Sequence, residues 1–326
     1  MTRRRALVIL VVVLAWTEAA ARQQVFRARV DAVVVDVSVT ERNRPIRGLT
    51  ARDFELTDNG VPQRIADVGS DSLPLDVTLI VDMSGRGVVQ PSLVAGVNNI
   101  RKSLRPADRA SIITFTGTVR EWTPLADAAS IPRFPMPAFP HEAGSPNGPT
   151  ACYDAIALSI VTPPTSGRRQ LAIVFSADRD TTSFLDARAV LDIAKRSDSA
   201  VFVVRAPFDL EPTEAPREGA TRVAITVDPL AIQPRFFRDL AEVTGGRVEE
   251  VKAFTMMRND SQGFAFQVRM GAPLGEAFVR ALEDFRSSYV LRYMPEGVAS
   301  NGWHDISVRV ANGGRFEVRA RSGYVR

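Results

Sequence analysis

The chain has 326 residues, 41 Lys+Arg against 37 Asp+Glu, 45% hydrophobic residues, two histidines and one cysteine. That length and apolar content exclude a disordered chain and predict two structural units with a sizeable core. The lone Cys152 excludes an intrachain disulfide and any thiolate-built zinc or iron–sulfur centre. With only His141 and His304 besides, a metal would be held by oxygen, and the formal charge of +4, without a basic block, leaves no footprint for nucleic acid.

Residues 1–21 read as a secretory signal peptide: Arg3, Arg4 and Arg5, an apolar run over 6–16, then Ala19, Ala20 and Ala21. Such a run rises about 16 Å as a helix, against roughly 30 Å of hydrocarbon. Cleavage rather than anchoring is expected, leaving a secreted or periplasmic chain with no transmembrane segment.

Valines at 33, 35, 37 and 39 alternate with Val34, Asp36 and Ser38, the period of a half-buried strand. Asn59-Gly60, between short apolar segments at 54–57 and 61–65, predicts a tight hairpin because both residues tolerate positive φ. The character changes at Leu75. From there to Asp82 the chain is almost continuously apolar and ends in a carboxylate, as suits a strand covered on both faces of a parallel sheet.

Helices are predicted over 88–104, 151–161, 183–196, 234–243 and 274–286, with strands over 110–115, 119–123, 170–175 and 201–205. This alternation predicts an α/β fold with a doubly wound, mostly parallel sheet. Residues 131–149, carrying six prolines, and 207–229 read as a surface loop and an insertion, and Gly245-Gly246 as a helix stop. Strand patterns return over 288–293, 303–310 and 315–321. The last two are joined by Asn312-Gly313-Gly314, with Arg309, Arg315, Arg319 and Arg321 on a solvated hairpin face. Because isolated hairpins are marginal, the amino- and carboxy-terminal segments, 22–73 and 288–326, are expected to pack as one small β unit around an inserted α/β domain, 74–287.

The run ending Val81-Asp82-Met83-Ser84 resembles the first strand of a von Willebrand factor type A domain. Residues 148–156 look like the segment that supplies that family's metal-binding threonine, and 172–176 like the strand before its distal aspartate. Stretches at 47–54, 240–247, 288–293 and 321–324 are similar to a bacterial, secreted von Willebrand factor A-related family, so the resemblance covers essentially the whole mature chain. It implies a metal-ion-dependent adhesion site beyond the carboxyl ends of the strands, where Asp82, Ser84 and Thr150 offer oxygens to magnesium or calcium.

Two departures make that site read as degenerate. Ala177 stands where the family's aspartate would fall, unless Asp178 serves one residue later, and Arg86 replaces the family's second serine. Arg86 either projects into the metal position and pairs with Asp82 and with Asp178 or Asp180, or points to solvent.

The function this implies is a secreted, non-catalytic module for protein binding or cell adhesion, with divalent-metal binding weakened or lost. Its top face, including Arg86 and Asp180, would recognise another protein or a cell-surface component. The alternatives are a metal-dependent adhesion domain with a shifted ligand set, and a hydrolase. Ser84, Ser176, His141 and His304 supply the parts of a triad, but no Gly-x-Ser-x-Gly elbow is present and neither histidine has a motif around it. Gly85-Arg86-Gly87 lacks the third glycine of a dinucleotide loop, since Gln90 stands there. Cys152 reads as a small core residue, and Trp122, Trp303, Tyr289 and Tyr293 as packing residues.

Overall fold

The computed structural model describes residues 32–69, 73–84, 90–133, 148–205, 232, 234–251, 253–260, 263–270, 273–311 and 314–326. The chain enters through β1 (Val33–Glu41) and turns at Arg42 and Asn43, both at positive φ, into the short β2 (Arg44–Pro45). There follow β3 (Phe54–Asp58), β4 (Val61–Gln63) and β5 (Ile65–Gly69). The predicted hairpin joins β3 to β4, with Asn59 at φ 48° and Gly60 at φ 78°.

The α/β part comprises β6 (Leu75–Asp82), α1 (Gln90–Ser103), β7 (Arg109–Phe115), β8 (Val119–Asp127), α2 (Cys152–Ile160), β9 (Arg169–Ser176), α3 (Ala187–Ala194), β10 (Ala200–Arg205), α4 (Pro234–Thr244) and β11 (Arg247–Glu250). A separate hairpin, β12 (Ala253–Asp260) and β13 (Gly263–Met270), and the helix α5 (Pro273–Arg286) complete it. Six strands lie in the order β11-β10-β9-β6-β7-β8, all parallel except the edge strand β8.

The apolar run of β6 is explained by burial on both faces. Leu75, Val77, Leu79 and Val81 pack in one core that holds α1 and α5, while Ile80 joins the opposite core, which holds α2, α3 and α4. The chain is therefore an α/β doubly wound protein, as the alternation of strands and helices implied. α3 starts at Ala187 rather than 183 because Asp186 caps it, accepting from the Ala189 N–H at 2.8 Å. Among the described residues, no helix is long and apolar enough to cross a membrane.

Gly245 and Gly246 end α4 for two different reasons. Gly245 takes φ 75°, so that the Gly246 N–H reaches back to the Ala241 carbonyl at 2.8 Å. Gly246 itself lies so close to β10 that an added Cβ would stand 1.8 Å from the Val201 carbonyl oxygen. An added Cβ at Gly245 would also stand 2.7 Å from the Arg321 backbone nitrogen, so Gly245→Ala and Gly246→Ala should each lower stability by about 2–3 kcal/mol in urea unfolding. A loss under about 1 kcal/mol at either position would refute this reading of the close approach.

The carboxy-terminal strands β14 (Tyr289–Tyr293), β15 (Trp303–Val310), β16 (Glu317–Ala320) and β17 (Gly323–Val325) interleave with the amino-terminal ones. One sheet runs β16-β1-β14-β5, with β2 also on β1, and the other runs β17-β15-β3-β4. Val35, Val37, Tyr289, Leu291 and Tyr293 of the first share a core with Phe54, Leu56 and Ile306 of the second. This is the small β unit anticipated from the two chain ends.

Two details of that expectation are corrected. β15 and β16 belong to different sheets and do not pair as a hairpin. Arg319 and Arg321 also turn inward. The opposite face of β1 lies against the α/β domain, where Arg319 donates to Asp284 (2.7 Å) and Ser38 Oγ (3.2 Å), and Arg321 to the Gly323 (2.6 Å) and Ser197 (3.1 Å) carbonyls. Arg309 and Arg315 remain exposed.

The sandwich also holds a buried polar cluster. Asp58 and His304 are both 0% exposed and meet at 2.8 Å between Oδ1 and Nδ1. The Tyr293 and Tyr324 hydroxyls donate to Asp58 Oδ2 at 2.9 and 3.0 Å, and the His304 ring stacks on Tyr324. Tyr293 is thus more than a packing residue: burial, reinforced by its bond to Asp58, pushes its phenol well above the usual range.

Candidate functional site

The parallel strands deliver their carboxyl ends to one face, and β6 ends there in the wholly buried Asp82. Its Oδ1 accepts from the Ser84 N–H at 2.9 Å and its Oδ2 from the Ala177 N–H at 3.0 Å. Burial raises its carboxyl above the ordinary value, and the bonds from Ser84 and Ala177 offset this in part. Thr150 sits beside β7 through the Ala151 N–H bond to the Thr116 carbonyl, 2.7 Å long. Its own carbonyl accepts the Thr181 and Thr182 N–H groups. Three buried oxygens of this face, Ser84 Oγ, Thr150 Oγ1 and Asp178 Oδ1, have no hydrogen-bond partner among the described residues.

Asp178 follows β9 at φ 61°, a left-handed conformation unusual for a residue with a Cβ. Its N–H donates to Ser176 Oγ at 3.0 Å, and its carbonyl accepts the Ile232 N–H at 2.8 Å. Burial raises its carboxyl, and Arg205 counteracts this. Arg205 Nε donates to Asp178 Oδ2 at 2.6 Å, with Nη2 on the same oxygen, while Nη1 meets Glu250 at 3.0 Å.

The structure therefore brings Asp82, Ser84, Thr150 and Asp178 to one end of the sheet. Ala177, at the position where the resemblance implies an aspartate, contributes its N–H to Asp82. Asp180 is engaged internally: it accepts from the Tyr153 N–H (2.9 Å) and from Ser183 Oγ (2.7 Å), tying its loop to the start of α2. Arg86 and His141 lie outside the described residues. Ser176 is buried, and Cys152 beside it is a buried thiol pushed well above its usual pKa by burial and then by the charge of Asp82. His304 is buried in the sandwich with its Nδ1 on Asp58, among residues other than Ser84 and Ser176.

Two residues of this face have no signature in the sequence. Arg205 reads there as the polar end of an apolar strand. Phe184 is 99% exposed, yet its backbone is fixed, because Asp154 accepts the Phe184 and Leu185 N–H groups at 2.9 and 3.0 Å.

Among the described residues, no group of three or more His, Cys, Asp and Glu side chains is placed to hold a metal ion. The oxygen set of Asp82, Asp178, Ser84 and Thr150 nevertheless suits a hard divalent cation in chemistry, and the unpartnered oxygens are lone pairs that such an ion would satisfy.

No family model matches the chain, and no curated protein matches it. Among solved structures, the conserved hypothetical protein BatB from Bacteroides thetaiotaomicron is 16% identical, covering 65% of this chain and 98% of that one, with a TM-score of 0.39. A von Willebrand factor type A protein from Catenulispora acidiphila is 13% identical over 88% of this chain and 75% of its own, with a TM-score of 0.40. The SpRpn10 VWA domain is 9% identical over 55% of this chain and 89% of its own, with a TM-score of 0.34. The strand order, the antiparallel edge and the helices on both faces are those of an α/β doubly wound fold.

Proposed function

We propose that this chain is a secreted, non-catalytic protein-binding module that grips its partner through the carboxyl end of the sheet, around a divalent-ion site of weakened affinity. The observation that carries this reading is the set of three buried, unpartnered oxygens beside Asp82. Magnesium or calcium held there by Asp82, Ser84, Thr150 and Asp178 would supply an open coordination position for a partner's carboxylate. The signal-like residues 1–21 support export, and a protein or cell-surface component is the partner class that such a face fits.

Phe184 supports a protein partner in particular. A fully exposed ring on a loop whose backbone is already fixed loses little freedom on binding, which is the property of an interface anchor. The test is retention of envelope proteins by immobilised full-length chain, with and without EDTA. Asp82→Ala should weaken retention of the specific partner at least about 10-fold and Phe184→Ser about 30-fold, the size of an interface hot spot. Retention unchanged by both substitutions would sink the proposal.

A further inference from the structure

We infer that Arg205 is a built-in rival of the divalent cation, holding the site at low affinity by occupying one oxygen of Asp178. The inference rests on the reading of this face as a divalent-ion site. Arg205 is the last residue of β10, in register with Ser176 at the end of β9 on one side and with Glu250 at the end of β11 on the other. Its side chain is only 12% exposed, so its charge acts in a poorly screened setting.

The guanidinium is divided between two acids. Nε and Nη2 converge on Asp178 Oδ2, and Nη1 takes Glu250, whose side chain is 55% exposed. The other Asp178 oxygen, Oδ1, is buried and unpartnered, as are Ser84 Oγ and Thr150 Oγ1. Asp178 is thus half engaged. Its backbone is held on both sides, by Ser176 Oγ and by the Ile232 N–H, so the carboxylate stays in place whichever cation it serves.

Formal charge sets the direction of the effect. Asp82 and Asp178 alone present two negative charges to a divalent ion, and Arg205 cancels one of them. An entering ion must share Asp178 with the guanidinium or drive it over to Glu250, a second partner already within reach. Such a site fills only at divalent concentrations in the high-micromolar to millimolar range, typical of extracellular modules. It would therefore respond to divalent concentration instead of being permanently loaded.

The experiment is calorimetric titration of the full chain with Mn²⁺ alone, with thermal melts to confirm folding. Wild type should bind weakly, Arg205→Met at least about 10-fold more tightly, and Asp82→Ala not measurably. Arg205→Lys, which keeps the charge but loses the fork, should fall between wild type and Arg205→Met, and it carries the comparison if Arg205→Met does not fold. Unchanged or weaker Mn²⁺ binding in the Arg205 variants, with binding still lost in Asp82→Ala, would overturn the role of Arg205 while leaving the ion site standing. Mn²⁺ binding that survives Asp82→Ala would remove the ion site itself.

Discussion

Asp58→Ala is expected to lower the unfolding free energy by about 3–5 kcal/mol, the range for breaking a buried charged network. In a chain of this size that corresponds to a fall of roughly 10 °C in the thermal midpoint. Donors from three other strands converge on this carboxylate: the Tyr293 hydroxyl from β14, the His304 ring from β15 and the Tyr324 hydroxyl from β17. Because Asp58 and His304 are wholly buried, water cannot replace the lost acceptor. Asp58→Asn keeps the volume and one acceptor oxygen, and should lose less. Asp67→Ala is the control: its pair with Arg292 is exposed, and its loss should cost no more than about 1 kcal/mol. Similar midpoints for Asp58→Ala and Asp67→Ala would show that the cluster contributes nothing beyond an ordinary surface pair.

That cluster marks where reading the sequence stops. Asp58 and His304 are 246 positions apart, and only the pairing of β3 with β15, which sets Asp58 opposite Ile306, brings them together. No local pattern encodes such a contact. The sheet was legible for the opposite reason. Burial on both faces forces the continuous apolar run of Leu75 to Val81, and parallel topology then places its terminal Asp82 at the carboxyl end of the sheet, where the candidate site lies.

The candidate site was legible in the same proportion. Asp82, Ser84 and Thr150 are fixed by strand ends and helix starts, which leave traces in sequence. Arg205 is fixed by its register against Ser176 and Glu250, which does not. Arg86, which the chain immediately after Asp82 offers either as a cation for the site or as a solvent-facing residue, lies outside the described residues, and Arg205, two strands away, pairs with Asp178. The hairpin of β12 and β13 did leave a period-two trace at Phe264, Phe266, Val268 and Met270, but it is obscured by the stronger alternation of strands and helices around it.

The seam between the β unit and the α/β domain should fail in a pH-dependent way when Arg169 is replaced by Met. Arg169, 3% exposed in its side chain, donates to Asp36 of β1 (2.7 Å), to the Phe285 carbonyl (2.8 Å) and to Ser288 Oγ (2.5 Å), and it lies over the Phe285 ring. Near neutral pH its loss should cost about 3–5 kcal/mol, because Asp36 loses its direct ion pair. Burial already raises the Asp36 carboxyl above its ordinary value, and Arg169 pulls it part of the way back. A raised folded-state pKa means that the ionised form is the penalised one, so its stability contribution is greatest in acid and declines as pH rises through the folded value. Without Arg169 that value climbs further and the penalty deepens. The gap between wild type and Arg169→Met should therefore be smallest in acid, below the folded-state value of Asp36 in both, and widen as pH rises through those values toward about pH 7.5. The residual gap in acid reports the lost bonds to Phe285 and Ser288. Urea unfolding across that range decides the matter, with Asp36→Asn in both backgrounds. If the gap is flat with pH, or persists undiminished once Asp36 is Asn, then Arg169 joins the two units through packing alone and not through its charge.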